Sequence, residues 1–197
     1  MSKDQKTLLA WDIDDVLNQF MLLCLPRFPS SRQLKYEELT VNPPYELLGI
    51  SKEQYLETLD ASRADLYKNL PRPEVLRFFE AYGECFLHTA VSAVPLRFAS
   101  GSAQWLLQHF GKWIQSFIFI PSPRPGVQML SQQFNTKAEA LKSFHADSIL
   151  IDDAPSNVQD ALNNGCKAIL FPAPWNENRD MEIDDFLNKL LKLKTKC

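Results

Sequence analysis

No apolar run in the chain approaches the length of a membrane span, which argues against a membrane-crossing helix. The first residues, Met1 to Lys6, lack the apolar core of a secretory signal, so a cytoplasmic location is expected. Excess charge of one sign is also missing. Lys and Arg number 21 against 24 Asp and Glu, a formal net charge of −3. That balance gives no electrostatic footprint for a nucleic-acid polymer or an anionic membrane surface. The four cysteines contain no CxxC pair, so neither a zinc site nor a disulfide framework is indicated and all four read as reduced thiols. Cys197 is the last residue, whereas a prenylation box needs cysteine fourth from the end. No internal repeat or low-complexity stretch is present. What remains is a 197-residue chain, 45% hydrophobic and 23% charged, able to build one sizeable core plus a smaller appendage.

Five apolar runs read as buried strands: Thr7–Ile13, Cys85–Ala90, Phe117–Ile120, Ser148–Ile151 and Lys167–Phe171. Short apolar runs separated by helices predict parallel strands covered on both faces. The helices carry legible ends. Pro73 opens one that Gly83 closes, Pro95 opens one that stops near Gly111, and Thr136 caps one running through Phe144. Pro155 and Ser156 begin another, stopped by Gly165. Ile183, Phe186, Leu187, Leu190 and Leu191 share one face of a C-terminal helix, read as packed or as partner-binding. Residues 18–72 break this rhythm with Pro26, Pro29, Pro43 and Pro44, then a helix from about Lys52 to Asn69 with Ser51 and Gln54 spaced as a capping box. This block reads as a small helical cap inserted after the first strand, with residues 1–17 and 73–197 forming the core. Ligands of open α/β sheets bind beyond the carboxyl ends of strands, where such a cap would sit.

The chemistry concentrates where strands end. Trp11-Asp12-Ile13-Asp14-Asp15 follows the first run, and Asp152-Asp153 follows the fourth. Carboxylates converging there repel one another and need a cation, and Mg²⁺ is the hard ion that takes oxygen ligands and leaves room for a phosphate. A carboxylate held in such a site can attack phosphorus. A second can protonate the leaving oxygen and then activate water. Asp12, deeper in its strand, is the candidate nucleophile, and Asp14, in the following turn, the candidate acid/base. Thr89, placed at the end of the second run, offers a hydroxyl for phosphate oxygens. Lys137 sits at a helix start, against the macrodipole preference, and so has a charge to neutralise; Lys142 is its mid-helix rival. Asn157 reads as an orienter of the second acidic pair or as an ordinary first-turn residue.

This ordered set resembles the haloacid dehalogenase superfamily of phosphatases, from about Thr7 to Trp175. Asp12-Ile13-Asp14 is similar to its first motif, Thr89 to its second, Lys137 to its third and Asp152-Asp153 to its fourth. The resemblance implies a three-layer Rossmann-like α/β fold with strand order 5-4-1-2-3. It implies Mg²⁺ held by the Asp12 side chain, the Asp14 backbone carbonyl and a fourth-motif acid. Matching by position makes Asp153 a direct ligand and Asp152 a ligand or its neighbour. It also implies that backbone amides near Asp14 and Ala90 bind phosphate, and the acid at Asp14 points to hydrolysis. Val16-Leu17, Phe20 and Pro174-Trp175-Asn176 resemble the 5′(3′)-deoxyribonucleotidase-type branch.

The expected activity is Mg²⁺-dependent hydrolysis of a phosphomonoester, through an aspartyl-phosphate, on a small phosphorylated metabolite such as a nucleoside monophosphate. A rival reading keeps the fold as a catalytically weak or inactive ligand-binding or interaction module. Its support is Asp15, where the family usually has Gly: Asp takes a left-handed turn less freely and adds charge near an anionic substrate. A third reading transfers the phosphoryl group to an acceptor other than water. Ser92 is read as a phosphate contact or as loop before Pro95, and His88 as a hydrogen-bonded structural histidine. Arg27, Arg32, Arg63, Arg97 and Arg124 are read as substrate contacts or surface charge. Phe28, Tyr36 and Tyr45 either stack a base or pack the cap. Nothing in the sequence sets an oligomeric state.

Overall fold

The computed structural model describes residues 6–30, 32–66, 68–125, 127, 132–144 and 147–194. The apolar runs form one five-stranded sheet: β1 (Leu8–Trp11), β2 (Leu87–Val94), β3 (Ile114–Pro121), β4 (Ile149–Asp152) and β5 (Lys167–Leu170). Every neighbouring pair is parallel, in the order β3-β2-β1-β4-β5. Read from the other edge this is the expected 5-4-1-2-3. β1 lies at the centre and is buried along its whole length.

Successive side chains of a strand face opposite sides, and β1 shows how both sides are filled. Leu9 and Trp11 join a cluster with Val75, Phe78 and Phe79 of α4 (Pro73–Tyr82), Trp105, Leu106 and Phe110 of α5 (Leu96–Phe110), and Phe186, Leu187 and Leu190 of α8 (Ile183–Leu190). Ala10 faces the other way, toward Ala138, Ala140 and Leu141 of α6 (Lys137–Leu141) and Ala161 of α7 (Pro155–Asn163). The layers are therefore helix, sheet, helix. α8 packs on the core through its apolar stripe, which decides between the two readings of that helix. Residues 195–197, with Cys197, lie outside the described residues. α6 ends earlier than expected, at Leu141, while Gly165, at φ 75°, stops α7 where the sequence placed it.

Residues 18–72 stand between β1 and α4. They hold α1 (Phe20–Cys24), α2 (Tyr45–Leu48) and α3 (Lys52–Leu66). The Ser51 hydroxyl accepts from Gln54 N at 3.1 Å and the Gln54 side chain accepts from Ser51 N at 3.0 Å, so the capping box closes. This segment has its own apolar cluster, including Phe20, Met21, Phe28, Leu39, Leu48, Tyr55 and Leu59. Phe28 stacks on Tyr55 at 5.2 Å, and Tyr45 leans on the same ring. Those two aromatics thus pack the insert. Its two ends meet: Arg72 N donates to Leu17 O at 2.8 Å.

His88 is buried with both ring nitrogens engaged. Trp11 Nε1 donates to Nδ1 at 3.0 Å, and Nε2 lies 2.8 Å from Gly83 O, so Nε2 carries the proton. Burial pushes its pKa down to about 4, the Lys6 charge adds to this, and the Gly83 hydrogen bond opposes it. The unfolded chain takes up this proton near pH 6.5, the folded protein not until about pH 4. Stability from this group is therefore complete above pH 6.5 and is lost as pH falls to 4, by about 3 kcal/mol. Denaturant unfolding of wild type and His88→Gln across pH 4–7 checks this, because the difference between the two curves isolates the residue.

Among the described residues one cysteine departs from expectation. Cys24 and Cys166 are free, but Cys85 is disulfide-bonded.

Candidate active site

The backbone leaves β1 through a wide turn over Ile13–Leu17, closed by Asn18 N donating to Ile13 O at 3.1 Å. Asp12 caps this turn, its Oδ1 accepting from Ile13 N at 2.8 Å. Asp14 is extended and Asp15 is left-handed, at φ 63° and ψ 0°. The turn therefore has the glycine-like geometry that the family resemblance implies. The Asp15 carboxylate, however, accepts from Met21 N at 2.8 Å in the first turn of α1. Arg72, buried beside it, donates to Asp15 O at 3.1 Å. Burial pushes the Asp15 carboxyl up to about 7, against the Met21 hydrogen bond and the Arg72 charge. The side chain is committed to the root of the insert, and the charge objection to an anionic substrate loses its main ground.

At the end of β4, one buried lysine ties the two acidic stations together. Lys137 Nζ lies 2.8 Å from Asp12 Oδ2 and 2.7 Å from Asp152 Oδ2. Thr136 caps α6 by accepting from Glu139 N, which sets Lys137 at the first helical position. Burial alone would lower the Lys137 pKa, but the Asp12 and Asp152 charges more than reverse it and the net shift is upward. Lys142 instead reaches Asn164, outside this site. Both Asp152 oxygens are engaged, since Asn157 Nδ2 donates to each and Ala154 N donates to Oδ1. Asp153 Oδ2 accepts from Trp175 Nε1 at 2.9 Å.

Carboxylate oxygens of Asp12, Asp152 and Asp153 lie within 4.8 Å of one another, and all three residues are buried. One ammonium stands against three carboxylates. Burial pushes Asp12 up to about 7, with Lys137 opposing and Asp152 and Asp14 adding to it. Burial and then the Asp152, Asp15 and Asp12 charges push Asp153 well above the usual carboxylate range. A hard divalent cation would relieve both, and all-oxygen donors suit Mg²⁺.

The phosphate side needs correction. Thr89 and Ala90 were placed at the end of β2, but the strand continues to Val94. Thr89 pairs with Ala10, well below the strand end, and its hydroxyl donates to Ser116 O at 2.9 Å. Ser92 and Ala93 are the β2 residues that line the cleft of about 180 Å³ over Asp12, Asp14, Lys137 and Asp153. The apolar run misled because it breaks at Ser92, a buried polar residue inside a paired strand.

The insert supplies the cleft's far wall through Phe20, Met21, Tyr55, Leu59 and Arg63. Arg63 Nη1 pairs with Asp14 Oδ2 at 2.7 Å, and its guanidinium lies 4.4 Å over the Phe20 ring. Arg97 and Arg124 take a different role from the one considered. Both grip Asp60 of α3, Arg97 at 2.6 Å and Arg124 through two contacts of 2.9 Å. Arg27 pairs with Asp65 at the surface, and Arg32 donates to Leu47 O. Tyr36 meets the edge of Trp175. Asn18 went unnoticed in the sequence: it donates to Asp14 Oδ1 at 3.2 Å while accepting from Asp15 N and Phe20 N. An Asn four residues after an acid in a turn was the available signal.

No family model matches the chain, and no curated protein sequence does. Solved structures do match. A hydrolase described as a haloacid dehalogenase-like family protein from Streptococcus pneumoniae superposes with a TM-score of 0.63 at 14% identity, covering 98% of this chain and 99% of that one. The chain has the haloacid dehalogenase fold. A protein assigned as a hydrolase of this fold from Bacillus subtilis, solved with magnesium bound, gives a TM-score of 0.53 at 13% identity, over 91% and 90% of the two chains. Protein tyrosine kinase A from Mycobacterium tuberculosis gives 0.59 at 12% identity, over 85% and 84%. The haloacid dehalogenase fold thus occurs with more than one reaction, and function has to be argued from the side chains.

Proposed function

We propose that the protein is an Mg²⁺-dependent phosphomonoester hydrolase acting through an aspartyl-phosphate on a small phosphorylated metabolite. The observation that carries this reading is the buried acidic trio of Asp12, Asp152 and Asp153 at the carboxyl end of the sheet, with Lys137 bridging Asp12 and Asp152. Asp12 and Asp153 would hold the cation with the Asp14 carbonyl, while Asp152 anchors Lys137. Bound there, Mg²⁺ would offset negative charge on the phosphoryl oxygens.

An Asp12 oxygen attacks phosphorus and the ester P–O bond breaks. Asp14 gives its proton to the departing oxygen. Water then attacks the aspartyl-phosphate, Asp14 takes its proton, and phosphate leaves with Asp12 restored. Lys137 and Ser92 face the phosphoryl oxygens, and Asn18 holds Asp14 over the leaving group, while Arg63, paired with Asp14 Oδ2, has to release that oxygen before it can carry the proton. Residues 18–72 act as a cap. The cleft, at about 180 Å³, is smaller than the roughly 300–1,000 Å³ usual for drug-sized ligands. That favours a small leaving group; a nucleoside would require the cap to swing outward.

The test is phosphate release from p-nitrophenyl phosphate and a panel of metabolite phosphates, with Mg²⁺ and with chelator. Activity should need Mg²⁺, and Asp14→Asn should lower turnover about 10²–10⁴-fold. If wild type and Asp12→Asn behave alike across the panel, the reading is wrong.

A further inference from the structure

We infer that Trp175 is a positioning residue for the divalent cation, its indole N–H fixing the Asp153 carboxylate so that one oxygen is held and the other is presented to the metal. The inference deepens the proposed function and rests on Asp153 being a ligand. Nε1 donates to Asp153 Oδ2 at 2.9 Å, and both residues are buried. Among the described residues no hydrogen bond reaches Asp153 Oδ1. The donor is an indole, which carries one N–H and no acceptor, so the contact has a single sense: one carboxylate oxygen accepts and the other is left for the metal.

The surrounding loop is built to hold this arrangement. Asn176 Nδ2 donates to the backbone carbonyl of Asp153 and to that of Phe171, both at 2.8 Å. The Asn176 side-chain oxygen in turn accepts from Asn178 N at 3.0 Å. Asp153 is thus gripped at its carboxylate and at its main chain by two consecutive residues. The ring is fixed as well, because Tyr36 meets it edge-on at 5.8 Å and it belongs to the apolar cluster of residues 18–72. A carboxylate whose rotamer is set in advance does not have to be ordered when the cation arrives. Partners of metal ligands typically contribute 10- to 100-fold in affinity this way.

The experiment is Mg²⁺ binding to the full chain by titration calorimetry, with no substrate present. Trp175→Phe keeps the ring and removes the N–H, and is expected to weaken Mg²⁺ by about 10- to 100-fold with little change in thermal midpoint. Tyr36→Leu loosens the packing of the ring but spares the N–H, and should bind Mg²⁺ within a few-fold of wild type. If wild type binds Mg²⁺ and Trp175→Phe binds it equally, the inference fails while the metal site stands. If wild type binds no Mg²⁺, the proposed function fails first. Should Trp175→Phe not fold, the wild-type indole N–H resonances decide. Of the chain's four tryptophans, Trp11 donates to His88 and Trp105 to Asn69 O, away from the acids. The resonance assigned to Trp175 is expected to move with Mg²⁺ saturation, and one that stays in place overturns the inference.

Discussion

Asp12→Asn should reduce phosphate release by about a thousandfold or more while the protein still folds. Asn fills the same space but cannot form the acyl-phosphate. Asp12 now uses Oδ1 to cap the turn and Oδ2 to meet Lys137. An amide can supply an oxygen to one of these, so one hydrogen bond is lost, while one buried charge is removed. The opposing effects should leave the thermal midpoint within a few degrees. A second readout separates this from general damage. In metal-free wild type the Asp12 carboxyl is pushed up to about 7 by burial, against 3.8 for an ordinary Asp. Between these values the folded state binds a proton the unfolded state does not, so stability falls as pH rises through that window. Asp12→Asn should flatten the slope, and saturating Mg²⁺ should flatten it in wild type. Equal slopes in the two metal-free proteins would contradict the placement of this carboxylate.

Lys137→Met should be the most destabilising single change at the site. Met fills most of the volume but leaves Asp12 and Asp152 without their shared cation at 2.8 and 2.7 Å. Removing one partner from a buried ion pair typically costs about 3–5 kcal/mol. For a chain of this size that corresponds to a drop of roughly 10 °C in midpoint. Mg²⁺ should recover part of this loss, so the variant's midpoint should rise more on adding Mg²⁺ than the wild-type midpoint does. Turnover should fall about 10²–10³-fold, because a preorganised positive charge facing the phosphoryl oxygens is gone. Thermal scans with and without Mg²⁺, paired with initial rates, measure both. A midpoint unchanged from wild type would mean that the acids are not held by Lys137.

The parts of this site that were legible in sequence are those set by neighbours in the chain. Asp12 and Asp14 announce themselves at the end of an apolar run, and Thr136 beside Lys137 marks a helix start. The left-handed turn at Asp15 is implied by the family resemblance, which usually has Gly at that place, and the residue does stand at φ 63°. What stayed hidden depends on contacts between distant segments. The end of β2 is fixed by pairing with β3, so the local sequence puts the phosphate hydroxyl at Thr89 and leaves Ser92 open between a phosphate contact and a loop residue. Arg63 was one arginine among several until α3 was docked and brought it to Asp14, 49 positions away. The Pro174-Trp175-Asn176 segment was visible as a resemblance, but the purpose of its indole is clear only beside Asp153, 22 positions earlier.

The hydrogen bond between Leu17 O and Arg72 N has a consequence for how such a protein can diverge. An excursion of the chain that returns to its own starting point can be shortened, lengthened or exchanged without separating the strands on either side. The acids that would handle phosphorus sit on the sheet side of that junction, and most of the wall facing a leaving group sits on the other. Grafting a different excursion between positions 17 and 72 would give one chemical engine a new clientele.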